Sequence, residues 1–233
     1  MDNTNNQFVL RQAFLKIKDT YNGILDPATG KPRNPIITPA DLRLEVKIQQ
    51  NKTSYQFFVL NTDGNPDFVG GKSNTEIRCN VNDAFWCVLG GLYLYNATTD
   101  IDAEARLYSY PNPTAFTAAS AASLDMFFNN CLLDIAINNV QYIQNFSTVR
   151  FRSTPETQEG LGLAVGTVST SLDEFNGNND GMTALGTLIE MSGQKKHNVF
   201  INAPTGLTTA PATGFERLVL YFRGFLALNA ANR

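Results

Sequence analysis

The chain closes on an apolar run, Leu218-Val219-Leu220-Tyr221-Phe222-Arg223-Gly224-Phe225-Leu226-Ala227-Leu228, five residues before its last. Chain ends are usually polar and poorly ordered, so a segment this apolar must be tied down. Read as a strand, it is apolar on both faces and carries Arg223 as its only charge. Such a strand belongs inside a covered sheet. The expectation is burial of Leu218 to Leu228 on both sides, one by an opposing sheet and the other by an arm, helix or neighbouring subunit.

The remaining chain supports a β architecture. Asn and Thr each make up about a tenth of the 233 residues, while charged residues are 17% and hydrophobic ones 43%. Thr suits strands and Asn suits turns, and the apolar fraction supplies a core. The length allows one large β domain or two small ones, and the lack of an internal repeat or linker favours one. The net charge of −3 argues against a surface that coats nucleic acid.

No apolar stretch reaches the ~18 residues of a membrane span. Met1 to Gln7 lacks the basic flank and apolar centre of a signal peptide. Cys79, Cys87 and Cys131 are an odd count in apolar surroundings without a Cys-x-x-Cys spacing, the pattern of buried free thiols made in a reducing cytosol.

Along the chain, Phe8, Val9, Leu10, Phe14, Leu15 and Ile17 fit a short amphipathic helix about as well as a strand. Pro27, Pro32, Pro35 and Pro39, with Gly23 and Gly30, make residues 22–41 an extended arm or loop. Residues 1–41 therefore form an N-terminal helix and arm, and 42–233 a single β domain. Within it, Leu42, Leu44, Val46 and Ile48 alternate with Arg43, Glu45, Lys47 and Gln49 as in a half-buried strand.

Further strands are expected at Tyr55 to Leu60, Ile77 to Val81, and Ala84 to Tyr95, where Gly90-Gly91 marks a bulge or close backbone approach. Ala115 to Phe128 reads as a helix with Thr114 as its N-cap. Leu132 to Ile137 and Val140 to Ile143 read as a hairpin turning at Asn138-Asn139. Ser147 to Arg152 is another expected strand, residues 153–187 are a loop, and Thr187 to Met191 pairs with His197 to Ala203 before the closing strand.

The candidate chemistry is thin. Gly71-Lys72-Ser73 has the end of a phosphate-binding loop, but Pro66 stands where the first glycine belongs and a strand is expected to follow. His197, the only histidine, lies beside Lys195 and Lys196 at a hairpin end, which reads as a solvated turn and a poor cleft for a nucleophile's base. One histidine and three buried cysteines do not make a zinc site.

Asn176-Gly177-Asn178-Asn179-Asp180-Gly181 imitates the start of a calcium loop, but Thr187 occupies the closing Glu position; Asp173 and Glu174 could join only a weak cation site. Asp100, Asp102 and Glu104 would share one face of a strand, which reads as a solvated face more readily than as a glycosidase pair. Trp86, the only tryptophan, is no stacking platform, and the sequons at Asn51, Asn96 and Asn145 carry no weight without a secretion signal. No catalytic, cofactor or metal residue is assigned, no cofactor is expected, and the chain reads as no enzyme.

Several segments follow one another in a distinctive order. They begin with Asn82-Asp83-Ala84-Phe85 and Gly90-Gly91-Leu92-Tyr93-Leu94, then Tyr110-Pro111-Asn112-Pro113 with Phe116. Asn138-Asn139-Val140, Phe146 to Phe151 and Pro155-Glu156-Thr157-Gln158 come next. The set ends with Ser192 to Pro204 and Arg223 to Asn229. Together these segments resemble major capsid proteins of bacteriophages. The resemblance spans 42–233 and implies a β-sandwich or jelly-roll-like coat subunit with long loops, one or two short helices and an extended N-terminal arm.

The implied function is structural self-assembly into a shell, tube or other regular array within a virion or similar particle. The partners are other copies and other virion proteins, with no membrane span and no specific nucleic-acid site. The alternative is a carbohydrate- or receptor-binding β-sandwich of a fibre, spike or adhesin, with Tyr93, Tyr95, Tyr108 and Tyr110 as exposed aromatics, although strand cores explain these tyrosines equally well.

Overall fold

A computed structural model of the chain describes residues 3–25, 30–32, 34–101, 106–112, 115–116, 118–152, 182–207 and 214–231. Helix α1 (Asn3–Asn22) comes first, followed by β1 (Ile37–Lys47), β2 (Ser54–Phe57), β3 (Ala84–Tyr95) and β4 (Leu107–Tyr108). Short helices α2 (Ala118–Leu124) and α3 (Met126–Asn129) precede the hairpin β5 (Leu132–Ile137) and β6 (Val140–Ser147) and a 3-10 turn at Thr148–Phe151. Strands β7 (Thr183–Ser192), β8 (His197–Asn202) and β9 (Arg217–Ala227) complete the order. One antiparallel sheet runs β1-β9-β3, with β7 and β4 both pairing to the far side of β3; the other runs β2-β8-β5-β6. The two sheets pack face to face as a β-sandwich.

The closing strand sits in the middle of this arrangement. β9 pairs along its whole length with β1, from Ile37↔Ala227 to Lys47↔Arg217, and with β3 on its other side. Leu218, Leu220 and Phe222 are fully buried in the cluster that joins the sheets, with Leu44, Leu92, Leu133, Ile135, Val199 and Ile201. Each such side chain stabilises the fold by roughly 1.5–3 kcal/mol through burial.

The alternate residues pack behind the sheet. Phe225 and Ala227 join a cluster with α1, and Val219 joins one with Tyr93, Tyr95 and Ala97. Burial of the run on both faces is thus as its composition demands. A helix and a loop supply the second cover.

α1 forms because its apolar positions recur at helical spacing. Leu10, Ala13, Phe14, Ile17 and Tyr21 make one stripe that lies on the outer face of the first sheet. The phenol of Tyr21 accepts a hydrogen bond from Trp86 Nε1 at 3.1 Å, and the two rings meet edge to face. Phe14 contacts Phe225 with ring centroids 5.5 Å apart. The sequence left helix and strand open for this segment, and the sheet beneath it decides the matter.

Elsewhere the boundaries shift for identifiable reasons. The bulge in β3 falls at Val88, where the register with β7 and β9 slips between Cys87 and Leu89. Gly90 and Gly91 instead mark close approach, since a Cβ on Gly90 would stand 2.8 Å from Leu185 Cδ2. β1 starts at Ile37, so Pro39 lies within it, on a strand at the sheet's edge where a missing donor is tolerated.

Ile77 to Val81 is no strand: Ile77 and Cys79 make only isolated bridges, to Arg43 and Leu60. The expected strand at Tyr55 to Leu60 stops at Phe57. The helix expected at Ala115 to Phe128 is split at Asp125, and its proposed cap Thr114 lies outside the described residues. Ser147 to Arg152 closes as a 3-10 turn, with Phe151 buried beneath it. β7 begins at Thr183, inside the segment expected to be loop; residues 153–181 lie outside the described residues.

Candidate functional site

The densest polar chemistry lies on the outer face of the first sheet, beyond the reach of α1. Alternation in β1 puts Leu42, Leu44 and Val46 inward, so Arg43, Glu45 and Lys47 point outward with Arg217 of β9. These positions read as a solvated face, but the chain between Asn61 and Cys79 folds back over them. Glu45 and Arg217 are fully buried.

Arg217 Nη1 donates to Glu45 Oε2 at 2.8 Å and to Ser73 Oγ at 2.7 Å. Its Nη2 donates to the carbonyl oxygens of Asp100 and Thr99 at 2.7 and 3.2 Å. The guanidinium also lies over the rings of Phe68 and Tyr95, 5.1 and 5.3 Å from their centroids. The second oxygen of Glu45 accepts from Arg43 Nε at 2.7 Å and from Thr75 Oγ1 at 2.5 Å.

The same loop closes the edge of β1. Arg43 and Ile77 exchange backbone hydrogen bonds of 2.9 Å each. Beyond them, carboxylates take the place of a neighbouring strand: the Glu45 amide donates to Glu76 Oε1 at 3.0 Å and the Lys47 amide to Asp67 Oδ2 at 3.2 Å. An uncovered edge strand is an aggregation hazard, and this loop removes it over half of β1.

Glu76 is itself held by Arg78 Nη2 at 2.7 Å and the Ser73 amide at 2.8 Å. Burial pushes the Glu76 carboxyl up, and these donors only partly offset it. Burial also pushes Glu45 up, but the Arg43 charge and the donors Thr75, Arg217 and Ser73 outweigh it and hold the carboxyl below its ordinary value. The arrangement is an ion-pair lock between loop and sheet. It presents no unengaged nucleophile.

The residues singled out in the sequence scatter through the fold. Gly71-Lys72-Ser73 belongs to the lock: the Ser73 amide and hydroxyl are engaged by Glu76 and Arg217, and no helix follows. His197 is not a solvated turn residue. It is the first residue of β8, in phase with the core residues Val199 and Ile201, and 8% exposed. Neither ring nitrogen has a partner among the described residues, and burial, helped by the Lys195 charge, pushes it down to about 4.

Asp100 lies in a turn, its carboxylate 2.5 Å from Lys47 Nζ; Asp102 and Glu104 lie outside the described residues, as do Asp173, Glu174 and residues 176–181. Thr187 falls inside β7. Cys79, Cys87 and Cys131 are buried free thiols; burial pushes Cys79 and Cys131 up to about 12 and Cys87 far above its ordinary value. Of the sequons, Asn51 and Asn145 have positive φ in turn and bulge positions, and Asn96 Nδ2 donates to the Ala115 carbonyl.

Tyr93 and Tyr95 are each 1% exposed, and Tyr108 and Tyr110 are half-buried, so these four do not form an exposed aromatic surface. Among the described residues, no group of three or more His, Cys, Asp and Glu side chains could hold a metal ion. No helix among the described residues is long and apolar enough to cross a membrane.

Clefts open on the surface of the described residues. One, of about 500 Å³, lies between the end of α1, residues 32–36 and Leu228 to Ala230. Another, of about 440 Å³, lies on the outer face of the second sheet and is lined by Ser54, Asp134, Gln141, Gln144, Asn145, Phe200 and Asn202. The sequence offered one signal for this polar face, namely Asn198, Phe200 and Asn202 alternating with the apolar Val199 and Ile201. No protein-family model and no curated protein matches the chain.

Proposed function

We propose that the protein is a self-assembling structural subunit of the bacteriophage-coat kind, which builds a regular array from copies of itself. The observation that carries this reading is the position of its exposed apolar side chains. Ten large ones are exposed among the described residues, and Phe8, Leu15, Leu25 and Ile36 all belong to the first 36. Phe8 and Leu15 are 61% and 47% exposed and seven residues apart, so they share a face of α1 distinct from the stripe already buried. A helix apolar on two sides has an intramolecular partner on one and needs another on the second.

A second copy is the favoured occupant. The net charge of −3 sets little repulsion between like subunits, and the resemblance of residues 42–233 to coat proteins points the same way. In this reading the N-terminal segment is both the third layer of its own fold and the contact to its neighbour. The titratable groups of the loop lock then serve architecture and no reaction.

The test is sizing by light scattering across a concentration series, for the native chain and for the double variant Phe8→Gln/Leu15→Gln. Native protein should form large species, and the variant should remain a small one with an unchanged circular-dichroism spectrum. Equal assembly of both would remove the α1 face as the contact. A native monomer at every concentration would remove the reading altogether.

A further inference from the structure

Among the described residues, no layer covers the outer face of the second sheet, and its chemistry is unlike the rest of the molecule. In β8 the inward residues Val199 and Ile201 are buried, so Asn198, Phe200 and Asn202 point outward. Register places Phe200 between Gln56 and Asp134, and Asn202 between Ser54 and Leu132. Gln141, Gln144 and Asn145 of β6 complete the 440 Å³ cleft, a volume within the ~300–1,000 Å³ span of small-molecule sites.

We infer that this cleft is a binding site for a neutral saccharide, with Phe200 as the stacking surface and the Asp134, Asn202, Gln144 and Asn145 side chains as its hydroxyl partners. The proposal does not rest on the coat reading.

The lining excludes the other ligand classes. Among the described residues it holds no Lys, Arg or His, so an anion there would meet the Asp134 carboxylate. A divalent cation needs several oxygen ligands from charged groups. Here there is one carboxylate, and its oxygens already accept from the Asn145 amide at 2.8 Å and Asn202 Nδ2 at 2.7 Å. A protein interface needs an apolar centre larger than one ring.

What remains suits a polyol. Each sugar hydroxyl both donates and accepts, and planar amide and carboxylate groups can bridge two neighbouring hydroxyls. Asp134 is fixed by its two donors, and Ser54 Oγ donates to Asn202 Oδ1 at 2.9 Å, so the Ser54-Asn202-Asp134 chain is set in place before any ligand arrives. Fixed groups lose little freedom on binding.

The side-chain amides of Gln144 and Asn145 make no hydrogen bond among the described residues, which leaves their capacity unspent. Asn145 is held at φ 54° where two β6 residues, Gln144 and Asn145, oppose Asp134 alone. That bulge places both amides on the cleft. The half-buried ring of Phe200 supplies an apolar floor for the C–H face of a pyranose.

The experiment is a neutral-glycan array of hexose, N-acetylhexosamine and deoxyhexose oligomers, followed by titration of the best hit into ¹⁵N-labelled native protein. Saturable shifts should cluster on β2, β5, β6 and β8. Phe200→Ala should weaken binding about five- to tenfold, and Gln144→Ala about threefold or more. Each variant should keep the native thermal midpoint within a few degrees, and Asp83→Asn, on another surface, should bind normally. No array hit, shifts centred elsewhere, or undiminished binding by folded Phe200→Ala would each overturn the proposal.

Discussion

Glu45→Gln tests the loop lock most sharply, because it keeps the shape and removes one charge. Arg217 is then left with Ser73 Oγ, two carbonyl oxygens and two aromatic faces, but no counter-charge, at full burial. Removing one partner of a buried pair costs about 3–5 kcal/mol. The retained acceptors place this case near the lower end, about 3 kcal/mol. Taking a urea m-value of about 2–3 kcal/mol/M, the midpoint should fall by about 1–1.5 M.

Trp86 is the sole tryptophan and is buried, so its fluorescence reports the transition directly. Removing both members, as Glu45→Leu/Arg217→Met, should cost at least ~1.5 kcal/mol less than the sum of the single losses. The effect should also depend on pH with a definite sign. The Glu45 carboxyl lies below its ordinary value, so its contribution is complete above the ordinary carboxylate range and disappears as pH falls through the lowered value. The penalty of Glu45→Gln should therefore shrink in acid. Single losses under ~1 kcal/mol, or strict additivity, would refute a buried ion-pair lock.

Two further predictions concern the core. His197 falls from an ordinary 6.5 to about 4 on folding, so stability should be complete above pH 6.5 and drop by about 3 kcal/mol between there and pH 4. His197→Leu should remove that share of the slope in urea midpoints, and an unchanged slope would contradict burial of a neutral imidazole. Gly224→Ala should lower stability by more than ~3 kcal/mol or prevent folding, because the added Cβ would stand 1.8 Å from the Trp86 carbonyl oxygen. Gly90→Ala crowds only side-chain atoms, chiefly the end of Leu185 with Phe151 at ordinary contact, and should be milder by thermal denaturation; the reverse order would place the close β3–β9 approach wrongly.

How much of this was legible followed the range of the interactions. β3, the β5–β6 hairpin and β9 were readable because apolar runs and the Asn138-Asn139 turn are local signals, and both asparagines do adopt positive φ. The lock was not readable. Glu45 and Arg217 are 172 residues apart, and each occupies the outward place of its strand. The loop at 61–79, with the turn at Thr99 and Asp100, makes that outward face an interior, and beyond Ile77 its pairing to β1 runs through carboxylates, a pattern without a strand's alternation.

The lysine neighbours of His197 suggest a solvated tip, whereas its parity with Val199 and Ile201 points inward. The polar face around Phe200 is hidden in the sequence for a related reason. Asn, Gln and Ser on alternate strand positions read as solvent-facing until register brings four strands together.

Electron microscopy of the purified native chain tests assembly most directly. Particles, tubes or sheets of uniform repeat are expected, and they should be lost in Phe8→Gln/Leu15→Gln. A field of dispersed single subunits at high protein concentration would contradict it.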